Sequence, residues 1–410
     1  MGETDALGHD MVDGFCSRCD FRVSEGLEYE RNGAGYTVKG IGDCTDAEII
    51  IPSTYLNKPV TAIAAAAFYA KVNITGVEIP KSVVAIGKNA FAFCSSLKEI
   101  EIPDSVTSLG ESAFYRCRGL ERVKIGGVTH IPNLAFEGCG SLSDLTISDS
   151  VVSIGDYAFN ICESIEILDL PDSVSSIGQG AFQACRSLSD VKFPAYVEIS
   201  SSAFALSALK SVSMDAGAIN GSAFLEGHKI TSVTLKAVTK VGAGAFMGCS
   251  LLSEVELGNA VQEIGEKAFA GCASLTSINI PRETVQIQRS AFAGCVNLRN
   301  VVLETGLTFI GENAFQGCES LKSIVIPESV QTVEKYAFDS CSALESVTIG
   351  SGVTTLGRNV FAKTAITEIT YTGSKEQWDH IAKDRWNDSM IGGEPRTVTL
   401  HCNDGDFEIN

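Results

Sequence analysis

The pair Ala-Phe recurs through this chain at nearly constant spacing, and no other feature restricts the possible folds so severely. Its phenylalanines are Phe68, Phe91, Phe114, Phe136, Phe159, Phe182, Phe204, Phe224, Phe246, Phe269, Phe292, Phe315, Phe338 and Phe361, 23 residues apart except where the step shortens to 22 or 20. Five residues ahead of each stands an aliphatic residue, from Ile63 and Ile86 to Leu356, and Ala precedes every Phe except Phe361, which follows Val360. A period between about 20 and 50 residues marks a stacked solenoid, because each unit can bury its apolar face only against its neighbours. A chain of 410 residues would ordinarily divide into several domains, but a repeat array grows by addition and needs no internal linker.

Within one period, Leu97-Lys98-Glu99-Ile100-Glu101-Ile102 alternates apolar and polar, the pattern of a short strand with one face inward. Pro103 ends it, having no N–H to donate to a ladder. Val106, Leu109, Ala113 and Phe114 then follow at spacings of three and four, which suits a turn with a short helical or 3₁₀ segment on the opposite edge. Gly after the aliphatic residue, as at Gly87 and Gly110, implies a special backbone angle or a close approach. The array is least regular over 195–236, where the step falls to 20 and the strand-end prolines stop after Pro194.

Ten of the fourteen cysteines fall three residues after the repeat Phe, from Cys94 to Cys341. Equivalent side chains on successive coils point the same way, so a column of buried thiols packed as small hydrophobes is expected rather than disulfides. Residues 1–26 lack the repeat and form a separate leader. There His9, Cys16 and Cys19, with Cys44 as a fourth donor, have the makings of a tetrahedral zinc site. The plainer reading of the same residues is a loosely attached leader with free or paired thiols. Residues 27–60 are expected to cap the array, with a hairpin at Asn32-Gly33, and 61–372 to form the array itself. Residues 373–410 read as a C-terminal cap of helix plus strand. Ser374 and Gln377 make a capping box, and Trp378, Ile381, Ala382 and Trp386 give one apolar face.

The net charge of −19 argues against nucleic acid and against anionic membranes, both of which favour a basic patch. The start, MGETDALGHD, has neither a basic nor an apolar leader region, and no run of 18 apolar residues occurs. The chain as given is therefore expected to be soluble and not inserted in a membrane, which leaves room for a signal peptide removed from it. The five histidines lie on separate elements without a Ser or Cys nucleophile beside them, so no enzyme activity and no cofactor are expected.

The pattern IPxSVxxIGxxAFxxCxSLxxIxIP, seen over 102–125 and again over 326–349, resembles the BspA-type leucine-rich repeat of bacterial surface and secreted proteins, and the likeness spans roughly 49–371. It implies an α/β solenoid, a right-handed leucine-rich-repeat superhelix with a parallel sheet on the concave face and turn, 3₁₀ or helical segments opposite. It also implies an extracellular or cell-surface setting, a protein partner such as a host, matrix or cell-surface protein, and a role in adhesion. The outward strand positions are then the candidate binding residues: Glu78, Glu99, Glu101, Arg122, Lys124, Asp144, Asp169, Asp190 and Lys192. Their charge is mixed, the face becomes neutral toward Val302 and Val325, and no aromatic side chain is expected on it. A structural spacer that displays the terminal segments is the alternative.

Overall fold

The computed structural model describes residues 22–383 and 397–409, preceded by the backbone of three short strands, Glu3–Thr4, Asp10–Val12 and Phe15–Cys16. The chain forms two compact units, Met1–Pro194 and Ala195–Asn410, and the second begins where the repeat loses regularity.

In the first unit the hairpin Glu28–Asn32 with Gly35–Gly40 turns at Gly33, as the Asn-Gly pair predicts. The coils then stack along two parallel ladders. The front ladder runs Glu48–Ile50, Gly76–Glu78, Glu99–Ile102, Arg122–Ile125 and Asp144–Ile147, in register with the 23-residue period from the second to the fourth of these strands. Glu99–Ile102 alternates exposed and buried residues, so period two in the sequence becomes one wet and one dry face. The back ladder runs from Lys58–Ile63 through Ala85–Ile86 to Ser108–Leu109.

Opposite the front ladder the chain is neither helical nor 3₁₀; it is a run of turns. Residues two before and two after the repeat Phe have left-handed backbone, φ 56° at Asn89 and 62° at Phe93. Alternating hands send every second N–H across to the next coil: Asn89 N to Glu111 O at 3.1 Å, Phe91 N to Ala113 O at 2.8 Å, Phe93 N to Tyr115 O at 2.7 Å. The reason is the coil spacing. Phe91 and Phe114 stack with centroids 5.2 Å apart, whereas a helix with its side chains is about 10 Å across. A helix on every coil would not fit, and its N–H groups would be spent within the coil. Close approach also explains the repeated glycine, since a Cβ at Gly110 would lie 2.3 Å from Lys88 N.

The repeat phenylalanines form the core of each unit. Stacked neighbours lie nearly parallel, 5.0 Å apart for Phe68 and Phe91 and 5.3 Å for Phe315 and Phe338. The buried thiols do more than fill space. Each Sγ–H donates to the repeat-Phe carbonyl of the preceding coil, Cys117 to Phe91 O at 3.0 Å and Cys272 to Phe246 O at 3.4 Å. Burial pushes the Cys94 thiol up to about 11 and the Cys185 thiol up to about 12.

In the second unit the irregular stretch becomes two long strands, Ser211–Ile219 and Ser232–Val241, which pair in parallel with a register shift at Gly217/Ala218. Each runs through both ladders because no proline interrupts it. Ser207 takes the thiol position there, and its buried hydroxyl has no hydrogen-bond partner among the described residues. The last coil is covered by a helix, Lys375–His380, started by the Ser374/Gln377 capping box. That helix is shorter than its apolar spacing predicts: Ile381 is its C-cap and Ala382 already belongs to the strand Ala382–Lys383, while Trp386 lies outside the described residues. Trp378, 2% exposed and edge-on to Tyr371 at 5.4 Å, serves the cap and is closed to a partner. Val398–Cys402 and Gly405–Ile409 complete the front sheet as a hairpin.

Phe136→Ala should lower the unfolding free energy by about 3–5 kcal/mol in urea denaturation; an unchanged midpoint would remove the Phe stack from the core. Because folded Cys94 and Cys185 ionise above their unfolded value of 9.0, they favour the fold below that pH. Their contribution should fade as pH rises from 9.0 through about 11 and about 12, read as a falling melting temperature; a flat alkaline profile would contradict it.

Candidate binding surface

The strand face of the first unit is built from the outward residues of the front ladder. Register places Glu48, Gly76, Glu99, Arg122 and Asp144 in one column, and Ile50, Glu78, Glu101, Lys124 and Thr146 in the next. Gly76 offers no side chain, so a notch opens in the first column. Around it lies a cleft of about 930 Å³ whose lining includes Glu48, Glu78, Glu99, Glu101, Arg122 and Lys124.

Five of the nine predicted binding residues therefore meet in one cleft: Glu78, Glu99, Glu101, Arg122 and Lys124. Asp144 joins them through Arg122. Asp169, Asp190 and Lys192 sit on the two-stranded pair Ile167–Asp169 and Asp190–Lys192, away from the cleft lining.

The charges are matched rather than free. Arg122 Nη1 meets Glu99 at 2.9 Å and its Nε meets Asp144 at 3.0 Å, Lys124 meets Glu101 at 2.6 Å, and Lys192 meets Asp169 at 3.1 Å. Hydrogen bonds donated by Arg122 to Asp144, by Lys124 to Glu101 and by Lys192 to Asp169 raise each cation above its ordinary value, so all three stay charged across the physiological range. Among the described residues Glu48, Glu78 and Asp190 have no ion pair. Pairs this exposed are held weakly, with little cost to exchange one carboxylate for another.

Several features of the surface lie outside the sequence reading. Ile167, 68% exposed, pairs in register with Asp190 and follows Asp144 by one 23-residue step. Its position in the 23-residue register was the available signal. Aromatic side chains are indeed absent from this column pair, but Tyr69, Phe93 and Tyr115 form a surface ladder on the turn edge, with centroids 5.5 and 5.4 Å apart. In the second unit the face is uncharged over Ser277–Ile280, Asn300–Leu303, Ser323–Ile326 and Ser346–Ile349, with Val302 and Val325 exposed. Of the zinc candidates, His9 and Cys19 lie outside the described residues, Cys16 is described only as backbone, and Cys44 is a half-buried free thiol.

The family model described as BspA type leucine-rich repeat region matches residues 61–160, 125–225, 217–288 and 262–382. A leucine-rich repeat protein from Bacteroides ovatus has a similar fold at 22% identity and TM-score 0.54, with 94% of this chain and 100% of that chain covered. A leucine-rich cell surface protein from Faecalibacterium prausnitzii is 28% identical, with 89% and 98% covered and a TM-score of 0.46. The pneumococcal vaccine antigen PcpA is 18% identical, with 91% and 98% covered and a TM-score of 0.42. No curated protein matches significantly.

The double variant Glu101→Gln with Lys124→Gln should melt with the wild type, because the pair is fully exposed. A drop of several degrees would make the pair part of the scaffold instead of part of the surface.

Proposed function

The chain belongs to the BspA-type leucine-rich repeat family, and on that premise we propose that it is a non-catalytic, adhesin-like module that holds a protein partner on the strand face of its first unit. The observation that carries this reading is the cleft at Gly76, in which exposed charges of both signs are fixed in register by a rigid parallel sheet. A surface of this kind exerts no strong single-sign field. It selects by pattern: a partner that presents the complementary order of charges exchanges them pair for pair, and one that presents the wrong order leaves like charges together. Ile167 adds an apolar contact beside the charged columns.

Solenoids of this family are generally non-catalytic and typical of bacterial surface proteins, which supports a cell-surface or extracellular setting. Among the described residues no helix is long and apolar enough to cross a membrane. Host, matrix or cell-surface proteins are the partner class proposed.

Reversing Lys124 and Lys192 together to Glu, measured by surface plasmon resonance against purified matrix proteins, should weaken the partner found with the wild type by at least about tenfold. Equal affinity of the two proteins would move binding off this face.

A further inference from the structure

The turn edge of the first unit carries a second surface of different chemistry. Tyr69, Phe93 and Tyr115 come from successive coils and meet edge to face, at interplanar angles of 69° and 78°. Tyr69 is 47% exposed and the other two rings are half-buried. Arg116 lies over the Tyr115 ring, 5.1 Å from its centroid, and Arg118 is exposed two residues on.

Phe93 has φ 62°, a left-handed conformation that is unfavourable for a bulky side chain. At the same repeat position the second unit has Gly248, Gly271, Gly294 and Gly317 on four coils and Leu206, Glu226, Ser340 and Lys363 on others, all left-handed, and only glycine takes that conformation freely. A phenylalanine held there and left half-exposed adds strain and buries little.

The charges differ from those of the strand face as well. There the cations Arg122, Lys124 and Lys192 are engaged by carboxylates. Arg116 and Arg118 are in no ion pair among the described residues, although the chain carries a net charge of −19. The nearby carboxylate of Glu137, on the next coil, accepts from Asn160 Nδ2 at 3.3 Å and feels the charge of Arg116 without forming an ion pair with it. The edge thus presents apolar ring surface and guanidinium donors to something that supplies its own carboxylates.

Backbone hydrogen bonding decides what kind of ligand that is. Phe93 N donates to Tyr115 O and Arg116 N to Glu137 O, both at 2.7 Å, so the edge is saturated between coils and cannot pair with a polypeptide strand. Recognition is left to ring surfaces repeating once per coil and to charge-assisted donors beside them. We infer that this edge binds an acidic polysaccharide along the stacking direction, with the C–H faces of its sugars against Tyr69, Phe93 and Tyr115 and its carboxylates on Arg116 and Arg118. The net negative charge of the chain does not prevent this, because at physiological salt fields are screened beyond about 8 Å and the local guanidinium groups dominate.

The test is titration calorimetry of the full chain with polygalacturonate, with dextran and poly-L-glutamate as the neutral and peptidic controls. Polygalacturonate should bind, and dextran and poly-L-glutamate should not. Tyr69→Ala and Arg116→Ala should each weaken binding at least about tenfold. Phe93→Gly should weaken it similarly while the melting temperature holds or rises, since the left-handed strain is relieved. Failure of polygalacturonate to bind, equal binding of poly-L-glutamate, or a melting temperature lowered by Phe93→Gly would overturn the inference. The strand-face variant with Lys124→Glu and Lys192→Glu should retain full polygalacturonate affinity, and its loss there would assign the polymer to the strand face.

Discussion

Everything in this molecule depends on coils lying about one strand spacing apart on every side. Phenylalanine rings set that distance in the core, stacked in parallel at 5.0 to 5.7 Å, close to the roughly 4.8 Å that strand hydrogen bonding requires. Agreement between the two spacings lets apolar packing and backbone pairing be satisfied by the same stacking step. No single coil could bury its Phe or pair its backbone alone, so stability belongs to the interfaces between coils.

A uniform spacing leaves no room for helices on the turn edge, and the chain solves the resulting polar problem by local means. Alternating left- and right-handed residues send N–H groups toward the next coil. Cysteine completes the accounting at the repeat-Phe carbonyl. Its S–H is a weak donor on a small apolar side chain, so it satisfies a buried oxygen without the desolvation cost of a hydroxyl. Ser207 illustrates the contrast: at the same repeat position its hydroxyl is buried and unpaired among the described residues.

With the interior given over to repetition, individuality is confined to side chains that point away from it. On the strand face these are charges in register, paired across neighbouring coils and therefore ordered but weakly held. On the turn edge they are aromatic rings and arginines, where the backbone has no capacity left. Strand face and turn edge thus differ in chemistry, one carrying exposed ion pairs and the other ring surface beside arginines that form no ion pair among the described residues.

Much of this was legible in the chain itself. The 23-residue period determined the solenoid, the alternation in Glu99–Ile102 determined which residues face water, Pro103 determined where a strand stops, and the Ser374/Gln377 box determined where the capping helix starts. These follow from local chemistry or from periodicity, which a sequence records directly. Only the tertiary structure decided that the turn edge is non-helical, that Arg122 bridges Glu99 and Asp144, that the strands Ser211–Ile219 and Ser232–Val241 run through both ladders, and that Tyr69, Phe93 and Tyr115 meet. Each of these depends on the distance and offset between one coil and the next, and a period counted along the chain gives the order of the coils but not how closely they lie.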